Sequence, residues 1–253
     1  MTATDHLLVD RLGDIVTITL NRPEQRNALS LPLMLDMIQV LDSIASSDAR
    51  GVILAANGPV FSAGHHFGDM AGHSEAEVRA LFRTCTHMMD GLQALPQPVV
   101  ARVHGLATAA GCQLVATCDL AVAGSSASFA LPGGKGALFC HTPLVAVARN
   151  LGRKRALELA LTGDPIDADT AADWGLVNRV VPDDQLDAAT LDLITRAARG
   201  VPASKAWGKQ TYYQQMELPQ AAAYDRAGDV MAQRAMDPAA QESFHAFLTK
   251  RTR

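Results

Sequence analysis

The chain has 253 residues, 48% of them hydrophobic and 19% charged, with a formal net charge of −4 at neutral pH. That length holds one large domain, or one domain with an appendage, around a sizeable core. The composition excludes a disordered chain, and the weak negative charge leaves no electrostatic footprint for nucleic acid.

Aromatic residues make up only 5% of the chain. Small residues must therefore fill much of the core, and backbones can approach closely. The four cysteines, Cys85, Cys112, Cys118 and Cys140, form no C-x-x-C pair, and no His cluster sits at zinc spacing. They read as reduced thiols in a cytoplasmic protein, and no metal site is expected. The start, MTATDHLLVDRL, has no basic leader and only a short apolar run, so no signal peptide is expected there. The most membrane-like stretch, residues 98–123, is interrupted by Arg102, His104, Gln113 and Asp119, which makes it too polar to span a bilayer.

In chain order, residues 14–20 alternate as a strand does, with Val16, Ile18 and Leu20 on one face. Asn21-Arg22-Pro23 closes that strand. Ser30 reads as an N-cap with Pro32 in the first turn behind it. Met34, Met37, Ile38, Leu41 and Ile44 then recur at helical spacing, which predicts an amphipathic helix over 31–46. Residues 51–56, 99–101 and 120–122 are short continuous apolar runs, as expected of strands buried on both faces. Helices are expected over 74–94 and over the small-residue stretch 109–117. Thr142-Pro143 reads as a cap and first turn for a helix to Asn150, stopped near Gly152. Beyond residue 182 the pattern is helical: 184–199, 203–214, 217–234 and 237–250. One boundary is expected near Gly200-Val201-Pro202, dividing residues 1–200 from a helical region, 201–253.

Common nucleotide and hydrolase motifs are missing. The chain has no G-x-G-x-x-G and no G-x-S-x-G, and Gly133-Gly134-Lys135 lacks both the preceding Gly and the following Ser/Thr of a P-loop. Two other stretches stand out, FSAGHHF at 61–67 and HGLATAAGCQL at 104–114. Ser62-Ala63-Gly64 gives the loop after a strand small residues and one conformationally free position. Ala107, Ala109, Ala110 and Gly111 let a helix N-terminus approach a ligand, with unpaired N–H groups that favour negative charge. Two such N–H groups converging on one oxygen would stabilise an oxyanion. The alternative reading is that Gly and Ala merely permit tight helix packing.

Over nearly its whole length the chain resembles the crotonase (enoyl-CoA hydratase/isomerase) family. The resemblance rests on Asn21-Arg22-Pro23 with Asn27-Ala28-Leu29, FSAGHHF, residues 104–123, LTGDPIDADTAADWGLVNRVVP at 161–182, and Phe247-Leu248-Thr249-Lys250-Arg251. It implies an α/β fold, a ββα spiral core followed by a C-terminal helical trimerisation region, often assembled as two stacked trimers. It implies acyl-CoA as a small-molecule substrate, no resident cofactor, and no nucleic-acid or membrane partner. By position, the oxyanion N–H donors are those of His65 and Ala110. Gln25, Arg26 and Ala28, with Ala63, Gly64, His65, His66 and Phe67, would line the CoA site, Arg26 against phosphate. Phe247 and Lys250 would close over CoA, from the same or a neighbouring subunit. Lys250, Arg251 and Arg253 also form a short basic tail, solvated or meeting a phosphorylated ligand.

The departures bear on mechanism. Hydration of an enoyl thioester needs one group to take a proton from water and another to protonate carbon. In the family's hydratases two glutamates do this, and they align with Gln113 and Gly133. A dienoyl-isomerase carboxylate would fall near His141, a residue type suited to proton transfer. Residues 129–140 look most like the branch of enoyl-CoA hydratase domain-containing proteins that lack both glutamates. Cys140-His141 before a helix could depress a thiol pKa, although a buried structural Cys is the simpler reading. His66 stands where the family usually has Asp, which leaves the support of that turn in question. The expectation is an acyl-CoA-binding protein of hydratase/isomerase type that stabilises a thioester enolate, with proton handling left to His141, to Gln113 through a water, or to the substrate. Alternatives are a thioester hydrolase, and a catalytically silent acyl-CoA binder or regulatory subunit.

Overall fold

The apolar runs of the first half pair as strands, and the helices between them fold back over one face. The computed structural model describes residues 4–250, the side chain of Lys250 excepted. Its strands are β1 (Leu7–Leu12), β2 (Ile15–Leu20), β3 (Gly51–Ala56), β4 (Val60–Ser62), β5 (Val99–Val103), β6 (Leu106–Thr108), β7 (Leu120–Gly124), β8 (Ser128–Ala130), β9 (Ile166–Asp167) and β10 (Arg179–Val181). Its helices are α1 (Leu31–Ala45), α2 (Glu75–Ala94), α3 (Ala110–Thr117), α4 (His141–Asn150), α5 (Arg153–Thr162), α6 (Ala168–Trp174), α7 (Leu186–Ala197), α8 (Pro202–Gln215), α9 (Gln220–Ala235) and α10 (Pro238–Lys250).

β1 and β2 form an antiparallel hairpin in which Leu12 faces Ile15 across the two-residue turn Gly13-Asp14. The positive φ of Gly13, 58°, suits that turn. One sheet runs in the order β1-β2-β3-β5-β7-β10, parallel from β2 onwards. A second sheet runs β4-β6-β8-β9, parallel except for its last pair. The three turns β3–β4–α2, β5–β6–α3 and β7–β8–α4 each give a longer strand to the first sheet, a short one to the second, and then a helix. This is the expected ββα spiral with a helical C-terminal region.

Local chemistry explains where the helices begin. Ser30 Oγ accepts from the Leu33 amide, and Pro32 sits in the first turn of α1. Ser74 and Glu77 form a reciprocal capping box at the start of α2. Both helices bury one stripe: Leu33, Met34, Met37, Leu41 and Ile44 on α1, and Leu81, Cys85, Met88 and Leu92 on α2. The start of α4 differs from expectation. The helix begins at His141, with Cys140 rather than Thr142 as its cap. Cys140 Sγ, which accepts from the Gly133 amide at 3.3 Å, fixes that end instead.

The expected boundary near Gly200 falls between α7 and α8. α8 is nevertheless pinned to the spiral. Lys209 Nζ lies 2.8 Å from Asp119 Oδ2 and donates to the carbonyls of Leu92 and Gln97 at 2.9 and 3.0 Å. Tyr213 donates to Asp119 Oδ1 at 2.8 Å, and the Val99 amide to Oδ2 at 2.7 Å. No described helix is long and apolar enough to cross a membrane.

Candidate functional site

The site begins with a reversal of the chain at Arg26 and Asn27, both at positive φ, 53° and 50°. Asn tolerates this backbone, and here its buried amide is fully used. Asn27 Oδ1 accepts from the Arg22 amide at 2.9 Å, while Nδ2 donates to the carbonyls of Asn57 and Val60, each at 2.8 Å. Residues 25–29 then run beside 62–66. The Ala63 amide donates to Arg26 O, Leu29 N to Gly64 O, and His66 N to Leu29 O. Gln25 is half-buried, Arg26 exposed and Ala28 buried. The two segments expected to line a CoA site are therefore side by side.

The second contact is closer. Gly64 has φ 86°, and a Cβ built on it would lie 2.9 Å from Ala109 Cβ and 3.0 Å from the Ala110 nitrogen. A Cβ on Gly111 would lie 2.3 Å from Ser62 O. Only glycine lets loop 62–65 lie flush against the turn into α3. In that turn Ala109 has φ 50° and ψ −119°, a region that non-glycine residues seldom occupy. Ala110 opens α3, so its N–H has no partner within the helix. Among the described residues neither the His65 nor the Ala110 amide donates a backbone hydrogen bond.

Beside this contact lies a cavity of about 870 Å³. Ala63, His65, Phe67, Met70 and Ala71 line it, with Thr108 and Ala109 from the turn into α3. Phe82 comes from α2, and the rest from Pro132, Gly133 and residues 136–143. No carboxylate is among these lining residues. Its titratable groups are His65, Cys140 and His141.

The expected site residues divide accordingly. Ala63, His65, Phe67, Gly133 and His141 line the cavity, Phe67 largely exposed. Ala110 and Gln113 are buried and lie outside the lining. Gln113 Oε1 is shut away without a hydrogen-bond partner among the described residues. At Gly133 a Cβ would meet Leu138 O at 2.2 Å and the Cys140 nitrogen at 2.7 Å. No side chain fits there unless the loop moves. His141 is exposed, and its ring centroid lies 5.2 Å from that of Phe139. His66 is half-buried, with Nδ1 3.7 Å from Asp69 Oδ1. Asp69 Oδ2 accepts from the Leu31 amide at 2.8 Å, so it ties this turn to the start of α1. Phe247 lies on α10, exposed and away from the cavity lining. The Lys250 side chain, Arg251 and Arg253 lie outside the described residues.

Electrostatics separates the candidate groups. Burial pushes the His65 imidazole down to about 4, opposed by the charge of Asp69. His65 is thus neutral at pH 7. Its ring packs edge-on against Phe82, centroids 5.2 Å apart at 89°. The activated-thiol reading of Cys140 is overturned. Burial raises its pKa, and the Gly133 amide offsets this only in part. Burial likewise pushes Cys112 up to about 12. Among the described residues no three His, Cys, Asp or Glu side chains gather as a metal site. Phe82, Met70 and Phe139 were not expected as wall residues. Phe82 follows an ordinary helical pattern, and only its contact with His65 marks it.

The family model described as Enoyl-CoA hydratase/isomerase matches residues 11–253. The chain belongs to the enoyl-CoA hydratase/isomerase, or crotonase, family. It is 41% identical over 239 residues to mouse "Enoyl-CoA hydratase domain-containing protein 3, mitochondrial", covering 94% of this chain and 80% of that one. It is 32% identical over 249 residues to "2,3-dehydroadipyl-CoA hydratase" of Escherichia coli (strain K12), covering 97% and 96%. A solved enoyl-CoA hydratase of Mycobacterium smegmatis superposes with a TM-score of 0.93 at 46% identity, covering 97% and 96%. Human enoyl Coenzyme A hydratase domain-containing protein 3 gives 0.92 at 39%, covering 97% and 98%. The branch seen in residues 129–140 is the one that the two enoyl-CoA hydratase domain-containing relatives occupy. The cytoplasmic expectation is corrected. The vertebrate relatives are named mitochondrial, which points to mitochondria rather than the cytoplasm. Unpaired thiols report a reducing surrounding and carry no address.

Proposed function

We propose that the chain binds an acyl-CoA thioester and holds its thioester oxygen on the N–H groups of His65 and Ala110. The observation that carries this is the close fit of Gly64 to the turn into α3, where even a Cβ would lie 3.0 Å from the Ala110 nitrogen, beside a cavity of acyl-group size. Two unpaired amides turned to one point there, one of them at a helix N-terminus, would stabilise an enolate or tetrahedral oxyanion. Residues 25–28 and 63–67 would hold the CoA, Arg26 toward phosphate. Ala110 is buried, so the wall at Thr108–Ala109 must yield as the thioester enters.

The chemistry that fits is of enoyl-CoA hydratase/isomerase type, proceeding through an enolate. His141 is the exposed titratable group on the cavity wall and would carry the proton. One observation favours a second reading, a silent acyl-CoA binder: the lining lacks any carboxylate. Turnover of a panel of enoyl-, dienoyl- and saturated acyl-CoAs, with calorimetric binding in parallel, separates the two. Turnover lost in His141→Ala supports the enzyme, and tight binding without turnover supports the binder. Failure to bind any CoA thioester overturns both.

We propose residues 201–253 as an oligomerisation region, for a homotrimer or a dimer of trimers. In its support, Trp207, Met231 and Phe244 border an exposed groove of about 930 Å³. Sedimentation of the purified protein tests it, and a monomer would overturn it.

A further inference from the structure

Among the polar groups that line the cavity, the His65 side chain is one that the acyl-CoA reading leaves unused. Its ring lines the cavity and stands edge-on to Phe82. Nε2 is shut away from solvent and has no hydrogen-bond partner among the described residues. Nδ1 is not among the described atoms buried without a partner, which leaves it as the ring nitrogen able to meet a ligand in the cavity.

Burial keeps the ring neutral at pH 7, Asp69 opposing, so it carries a single N–H. The site of that proton follows from what is unpaired. On Nε2 it would leave a buried donor with no acceptor, which folded proteins rarely tolerate. On Nδ1 it leaves only a bare lone pair in the apolar wall. Nδ1–H is therefore the favoured tautomer, and a neutral donor faces the cavity.

We propose that His65 donates a hydrogen bond from Nδ1–H to an oxygen on the acyl group, so that the site selects β-oxygenated acyl thioesters over hydrocarbon ones. This rests on the acyl-CoA reading. The backbone N–H of His65 would take the thioester oxygen, so its own ring reaches only the atoms next along the acyl chain. A carbonyl or hydroxyl on the third carbon lies within that reach. The Thr108 and Thr142 hydroxyls of the same cavity lining both donate and accept, so they discriminate less. The neutral imidazole is a positioning and specificity group. It neither takes nor gives up a proton in this role.

Calorimetric titration with acetoacetyl-CoA and butyryl-CoA tests the inference. The wild type should prefer acetoacetyl-CoA by about three- to tenfold, the worth of one neutral hydrogen bond. His65→Phe keeps the backbone amide and fills the wall, and should bring the ratio to one. His65→Gln keeps a side-chain N–H and should retain part of the preference. A ratio of one in the wild type, or an unchanged ratio in His65→Phe, overturns this inference while leaving acyl-CoA binding in place. Binding of neither thioester overturns both. Independently of any variant, nitrogen-15 NMR of the wild type should find His65 neutral with its proton on Nδ1. An Nε2–H tautomer overturns the inference.

Discussion

The amide of Gly133 donates to Cys140 Sγ at 3.3 Å, and the space beside it is already filled. A Cβ at position 133 would lie 2.2 Å from the carbonyl oxygen of Leu138. Unless it moves, this loop thus has no room for a carboxylate side chain at the position where the family resemblance places one. Gly133→Ala should destabilise the fold by about 1–3 kcal/mol, as overpacking against backbone does. Gly133→Glu should cost at least as much and should not restore hydration of crotonyl-CoA. Thermal melting and a hydration assay on the two variants check this, and a Gly133→Glu enzyme that melts normally and gains activity would overturn it.

Gln113 behaves differently, because its side chain is already accommodated in the core and its amide oxygen has no hydrogen-bond partner among the described residues. Gln113→Leu removes a buried unpaired acceptor and should be neutral or stabilising by up to about 1 kcal/mol. If the amide positions water or substrate, the same change should lower turnover or acyl-CoA affinity. Urea unfolding beside calorimetry separates stability from function. Lost stability with unchanged affinity would make Gln113 purely structural.

His65 also sets a pH dependence. Its folded pKa is depressed to about 4 from 6.5. As pH falls below about 6.5, the unfolded chain takes up a proton that the native chain refuses until about pH 4. Stability contributed by the neutral ring is complete above pH 6.5 and declines through that window. The loss at pH 4 is about 3 kcal/mol by linkage from this shift. His65→Phe should flatten that arm of the stability profile, measured by urea unfolding between pH 4 and 7. A profile parallel to the wild type would contradict it.

Lys209 and Asp119 form a half-hidden ion pair that ties α8 to the spiral, and their side chains keep only 10% and 14% of their exposure. Burial lowers the Lys209 pKa, and Asp119 opposes the shift. Removing one partner strands the other. Lys209→Ala should cost about 3 kcal/mol and loosen the C-terminal helices first. Hydrogen exchange should then report faster opening of α8 and α9 than of α1. Unchanged protection there would show that packing, not the ion pair, holds the region.

Much of this protein was legible in its residues. Ser30 with Pro32, the period of Met34, Met37, Leu41 and Ile44, and the apolar runs at β3, β5 and β7 place the first sheet and its helices. These signals are local, and each repeats over several turns or pleats. The motifs at 61–67 and 104–114 identified the family for the same reason. The second sheet was not legible, because β4, β6 and β8 have three residues each, too few to establish a period. The start of α4 was misread at Thr142, because the group that fixes it is a sulfur seven residues from its donor.

The sequence by itself determined the family, the spiral of strands and helices, and the absence of glutamate at positions 113 and 133. Only the tertiary structure decided which of the named groups share a cavity. It put His65, Gly133 and His141 in the lining of one cavity and left Gln113 out of that lining. It brought Phe82 from a distant helix against the imidazole, and it buried that imidazole enough to keep it uncharged. Proximity and desolvation arise from segments far apart in the chain, so no local pattern of residues records them.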